Sequence, residues 1–82
     1  METYEIIEVK NGWLLVGNSK KYLIGIAQHP PAKYYLQQLE PSPQFITGLF
    51  EEPKKNLFRG KDKNGKKINI KIVGSSAILN ED

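Results

Sequence analysis

Two Asn-Gly dipeptides, Asn11-Gly12 and Asn64-Gly65, each lie between runs rich in β-branched, aliphatic and aromatic residues. That pattern commits much of the chain to antiparallel hairpins. Asn-Gly supplies the positive backbone angles of a tight hairpin turn at little steric cost. The first pair joins Tyr4 to Val9 with Trp13 to Gly17, and a polar turn over Asn18 to Lys21 leads into a third β-like run, Tyr22 to Ala27. The three read as an antiparallel meander. A two-residue and a three-residue loop both give acceptable apolar pairs in the first hairpin, so its register stays open.

After Pro30-Pro31 the spacing changes. Ala32, Tyr35, Leu36 and Leu39 recur at i, i+3, i+4 and i+7, one face of a helix. Pro31 suits a first helical turn and Pro41 forbids continuation. The spacing therefore predicts a short helix over residues 31–40, with Tyr35 inward and Tyr34 outward. The competing reading, a strand from Tyr34 to Leu39, suffers from Gln37-Gln38, which interrupts strict alternation. Beyond Pro41-Ser42-Pro43, Phe45 to Glu51, Leu57 to Lys61 and Lys66 to Val73 read as three more strands. The expected fold class is mainly β (α+β), a small antiparallel barrel or strongly curled sheet in the order βββ-α-βββ. It is a single domain over residues 1–82, with 75–82 as a mobile tail.

The last hairpin carries the chemistry. Residues 53–74 hold eight of the twelve basic residues and a single acid, Asp62, while the rest of the chain is net acidic. Register decides whether these charges form a face. A two-residue Asn64-Gly65 loop would put Lys61 opposite Ile68 and Arg59 opposite Ile70, on the side of the core stripe Ile68, Ile70 and Ile72. Burying those cations unpaired is costly. A type I turn over Asp62-Lys63-Asn64-Gly65, with Gly65 left-handed, instead pairs Phe58 with Ile70 and Gly60 with Ile68 on the inside. Arg59, Lys61, Lys67, Asn69 and Lys71 then lie outside, and burial selects this register.

In that register Lys61 and Lys67 are directly opposed like charges, which destabilises a sheet. A benefit from outside the fold would offset this. A polyanion, nucleic acid first, is therefore the expected partner of Arg59, Lys61, Lys67 and Lys71, with Lys63 and Lys66 at the turn. An acidic protein surface is the related possibility. The alternative is a protein-interaction or homo-oligomeric module whose lysines only protect a sheet edge. Self-association is motivated by Tyr4, Ile6, Trp13 and Leu15, which are hard to place together inside one small barrel. Phe58 is expected to point inward and no aromatic interleaves with the basic strip. Contact to the phosphate backbone alone is thus favoured over base stacking.

Little else suggests chemistry. His29 stands alone without neighbours that could make it a base or ligand, and the chain has no cysteine. Neither a metal nor a cofactor is expected. Glu5 and Glu8 fall on opposite strand faces, Ser75-Ser76 have no base nearby, and Gly60 and Gly65 match no nucleotide-binding loop. A catalytic role is not expected. The acidic start, Met1 to Glu5, lacks the apolar stretch of a signal peptide, and no apolar run is long enough to span a membrane as a helix. Together with the absence of cysteine, this leads to a cytoplasmic expectation.

Overall fold

Alternation of inward and outward side chains builds the molecule. The computed structural model describes residues 2–28, 33–51 and 56–81. They form eight strands: β1 (Glu2–Val9), β2 (Gly12–Val16), β3 (Lys21–Ile26), β4 (Tyr34–Glu40), β5 (Gln44–Glu51), β6 (Leu57–Lys61), β7 (Lys67–Val73) and β8 (Ser76–Glu81). Each strand pairs antiparallel with the next, and β8 returns to β1, closing an up-and-down barrel. Every strand sends a buried apolar side chain inward: Tyr4, Leu15, Ile24, Leu36, Leu49, Phe58, Ile70 and Leu79, in chain order. Eight strands enclose a space that side chains just fill. The interior is therefore a packed core.

An aromatic cluster crosses that core. The Trp13 ring lies 5.8 Å from Tyr34 and 5.4 Å from Phe58, and Tyr34 meets Phe58 edge-on at 5.1 Å. Trp13, partly buried, thus packs against the core. Elsewhere Tyr4 packs edge-on against Tyr22 at 5.5 Å, and its hydroxyl donates to Glu2 Oε1 at 2.7 Å. Burial, and after it the hydrogen bond to the Glu2 carboxylate, hold the Tyr4 phenol protonated well above its ordinary range.

The expected central helix is absent. Among the described residues there is no helix, and Tyr34–Glu40 is strand β4, paired with β3 and β5. Pro31 and Ala32 lie outside the described residues. Two irregularities lie along this strand. The ladder to β5 shifts between Leu36 and Gln37, and the ladder to β3 shifts between Lys21 and Tyr22, opposite Gln38 and Glu40. The first of these skips Ile46 on β5, whereas the second skips Leu39 on β4 itself, which breaks the period-two pattern of β4 and lets a short strand imitate helical spacing. A helix of that length is marginal alone, whereas β4 gains backbone partners on both sides. The two tyrosines exchange roles accordingly: Tyr34 joins the core cluster, and Tyr35, paired with Gly25, faces outward.

The expected mobile tail is also corrected. Residues 76–81 form β8, which follows a left-handed Gly74 (φ 61°) and places Ala77 and Leu79 in the core. In the first hairpin Val9 pairs with Gly12, so the loop is the two-residue Lys10-Asn11. Tyr4, Ile6, Trp13 and Leu15 all belong to the core or pack against it. Among the apolar residues that β1 and β2 direct outward, Ile7 and Leu14 pair with each other, and Leu14 pairs in turn with Leu23 of β3. Among the described residues no helix is long and apolar enough to cross a membrane.

Candidate functional site

The β6–β7 hairpin adopts the register that burial selects. Phe58 pairs with Ile70, Arg59 with Asn69, Gly60 with Ile68 and Lys61 with Lys67. Phe58, Ile68 and Ile70 are buried, while Arg59, Lys61, Lys67 and Lys71 are exposed. The turn accounts for Asp62. Its Oδ1 accepts hydrogen bonds from the backbone N–H of Asn64 at 2.9 Å and of Lys66 at 3.0 Å. The Gly65 N–H closes the turn on the Asp62 carbonyl at 3.0 Å, with Gly65 at φ 82°. Asp62 therefore acts as a turn residue, anchoring the backbone that carries Lys63 and Lys66.

Among the described residues the one ion pair is Lys21 Nζ to Glu40 Oε2, at 3.1 Å. No described carboxylate pairs with Arg59, Lys61, Lys63, Lys66, Lys67 or Lys71. Lys67 and Lys71 stand four residues apart on one strand, roughly 13 Å at normal strand rise. The outer face of the hairpin is thus a cationic strip about that long. Lys54 and Lys55 lie outside the described residues, as does His29.

The strip borders a groove that the sequence does not announce. Among the described residues, strands β5 and β6 pair at Phe50 with Arg59 and at Glu51 with Phe58 and not further towards Lys61. Beyond that point the Thr47 hydroxyl, nearly buried, donates to the Lys61 carbonyl. A Cβ at Gly60 would fall on the Gly48 carbonyl oxygen, so glycine is what lets the two backbones approach there. The resulting groove, about 800 Å³, is lined by Thr47 and Gly48 of β5, by Arg59 to Lys61 of β6, and by Lys67 to Asn69 of β7. Three of the six expected cations, Arg59, Lys61 and Lys67, meet in it. Lys71 shares the outer face further from the turn, and Lys63 and Lys66 sit on the turn itself.

Thr47 and Gly48 were not legible as site residues, because their place depends on how β5 and β6 part. An oligoanion laid in the groove would meet a guanidinium, two ammonium groups, the Asn69 amide and glycine backbone. The arrangement offers neutralising charge and no nucleophile–base pair. Among the described residues no cluster of three or more His, Cys, Asp or Glu side chains could hold a metal ion. Comparison with protein-family models, curated proteins and solved structures yields no significant match.

Proposed function

We propose that the protein is a non-catalytic binding module that holds a polyanion, nucleic acid, on the outer face of β6 and β7. The observation that carries this reading is the direct opposition of Lys61 and Lys67 beside an open groove, with no described carboxylate to neutralise either. Like charges placed opposite one another destabilise a ladder. β7 is paired on both sides, so protection of a free edge does not account for Lys67, although Lys61 lies where β6 has left β5. Arg59, Lys61 and Lys67 bind by neutralising phosphates and releasing condensed counter-ions. Such a partner agrees with the cytoplasmic location expected of a cysteine-free chain.

The test is a salt titration of binding to mixed-sequence oligonucleotides. Lys61→Gln with Lys67→Gln should weaken binding to a similar degree for unrelated sequences. It should also reduce the slope of log affinity against log salt by about 0.7–0.9 per lost phosphate contact. Absence of any salt-dependent affinity at low ionic strength would sink the reading.

A second reading, a homo-oligomeric or protein-interaction module, is favoured by the outward row of Ile7, Leu14 and Leu23 in straight register across β1, β2 and β3. Ile7 is 45% exposed. On this reading Leu14→Lys should dissociate an oligomer measurable by analytical ultracentrifugation. A wild-type monomer across the micromolar range removes self-association.

A further inference from the structure

The outer surface next to the cationic groove is aromatic. Tyr35 of β4 pairs with Gly25 on one side and Gly48 on the other. Its ring lies directly over Gly25, where a Cβ would collide with the ring atoms. Tyr35 is therefore held against the sheet by a neighbour that has no side chain. Phe45 of β5 is 65% exposed, the most exposed large apolar side chain among the described residues. Both aromatics line a second cleft of about 600 Å³, together with Ile26 and Gly48. Gly48 also lines the cationic groove. The two clefts meet at a residue that raises no side chain between them.

Across four neighbouring strands the order is thus aromatic, aromatic, cationic, cationic: Tyr35 on β4, Phe45 on β5, Arg59 and Lys61 on β6, Lys67 on β7. At about 4.8 Å per strand this surface runs roughly 15 Å from β4 to β7. That length matches about four stacked nucleotides at ~3.4 Å each. Proteins that hold single strands combine a basic track for the backbone with aromatic faces on which bases stack. In a duplex the bases are already stacked and paired, so an exposed phenylalanine gains nothing from them. A largely exposed Phe45 also lowers solubility with little return to the core, which its contact with a ligand would offset.

We propose that this surface binds single-stranded nucleic acid, with phosphates on Arg59, Lys61 and Lys67 and bases stacked on Phe45 and Tyr35 across Gly48. The inference rests on the polyanion reading and adds the form of the strand. It reverses the expectation of backbone-only contact, because the aromatics come from β4 and β5 and not from the basic hairpin.

The experiment compares the affinity of the full chain for single-stranded DNA, single-stranded RNA and duplex DNA of one mixed sequence, at fixed low salt. The proposal expects one or both single strands to bind more tightly than the duplex, and the two single-stranded arms identify the preferred sugar. Phe45→Ala should weaken single-strand binding roughly 5- to 150-fold, the loss of one stacked base. It should leave duplex affinity and the salt slope unchanged, and Phe45→Trp should retain binding. Lys61→Gln should reduce the salt slope in every arm. Equal affinity for all forms, insensitive to Phe45→Ala but still salt-dependent, would overturn the stacking proposal and leave the polyanion reading standing. No binding in any arm would overturn both. Circular dichroism of Phe45→Ala checks that the barrel is intact, and Tyr35→Ala provides a second stacking variant should Phe45→Ala not fold.

Discussion

The β1–β2 and β6–β7 hairpins use the same Asn-Gly dipeptide in opposite ways. In β6–β7 the glycine is the turn: Gly65 takes a left-handed φ of 82°, and nothing would meet a Cβ placed on it. In β1–β2 the turn is Lys10-Asn11, and Gly12 already belongs to β2, where a Cβ would fall on the Ile24 carbonyl oxygen of β3. Gly65 serves only the backbone's own geometry, whereas Gly12, itself at a positive φ of 151°, also makes room for a neighbouring strand. The outer faces differ as sharply. The first hairpin turns Ile7 and Leu14 outward, the second Arg59, Lys61, Lys67 and Lys71. Inward, both are apolar. The inner faces decide register, which leaves the outer faces free to differ in chemistry.

Substitution at the two glycines tests that contrast most strongly. Gly12→Ala should destabilise the barrel by about 3 kcal/mol or more, because a backbone carbonyl cannot step aside as a side chain can. Gly65→Ala should cost only about 1–2 kcal/mol, the strain of a left-handed residue carrying a Cβ. Urea melts of the two variants measure the difference, and equal losses would mean that Gly12 is not pinned by β3. A smaller effect probes the outer face. Lys61→Gln removes the repulsion with Lys67 and should leave stability unchanged or raise it by about 0.2–1 kcal/mol. Paired with the weaker polyanion binding expected of that substitution, a gain in stability would identify the charge as kept for binding. A loss of stability in the same melts would instead mean that the lysine supports the fold.

The β6–β7 hairpin was readable from its residues because two independent constraints coincide there. Asp62 and Gly65 fit the first and fourth positions of a type I turn, and the Ile68, Ile70, Ile72 stripe excludes the register that buries cations. Local chemistry and burial gave one answer. At β4 they gave two. Tyr34, Leu36 and Gln38 alternate as a strand, while Ala32, Tyr35, Leu36 and Leu39 fit a helix, and the bulges that reconcile the strand with its neighbours depend on residues of β3 and β5. β8 was missed for a related reason. Its Ala77–Ile78–Leu79 alternation is short, and its partner β1 lies at the other end of the chain. The same limit applies to the candidate site. Arg59, Lys61, Lys67 and Lys71 needed only the register of one hairpin to share a face. Thr47, Gly48, Phe45 and Tyr35 come to that face only when β4 is a strand of the ring.

Closure of the ring has a kinetic meaning. Seven of the eight ladders join strands that are neighbours in sequence, and only β1–β8 joins residues more than seventy apart, Glu2 with Leu79 among them. Short hairpins close quickly and at small entropic cost, whereas the cost of closing a loop grows with its length and precedes the contacts that reward it. The barrel can therefore assemble as a ribbon of successive hairpins. The Glu2–Glu5 and Ser76–Leu79 seam is the contact that converts an open, curled ribbon into a cylinder.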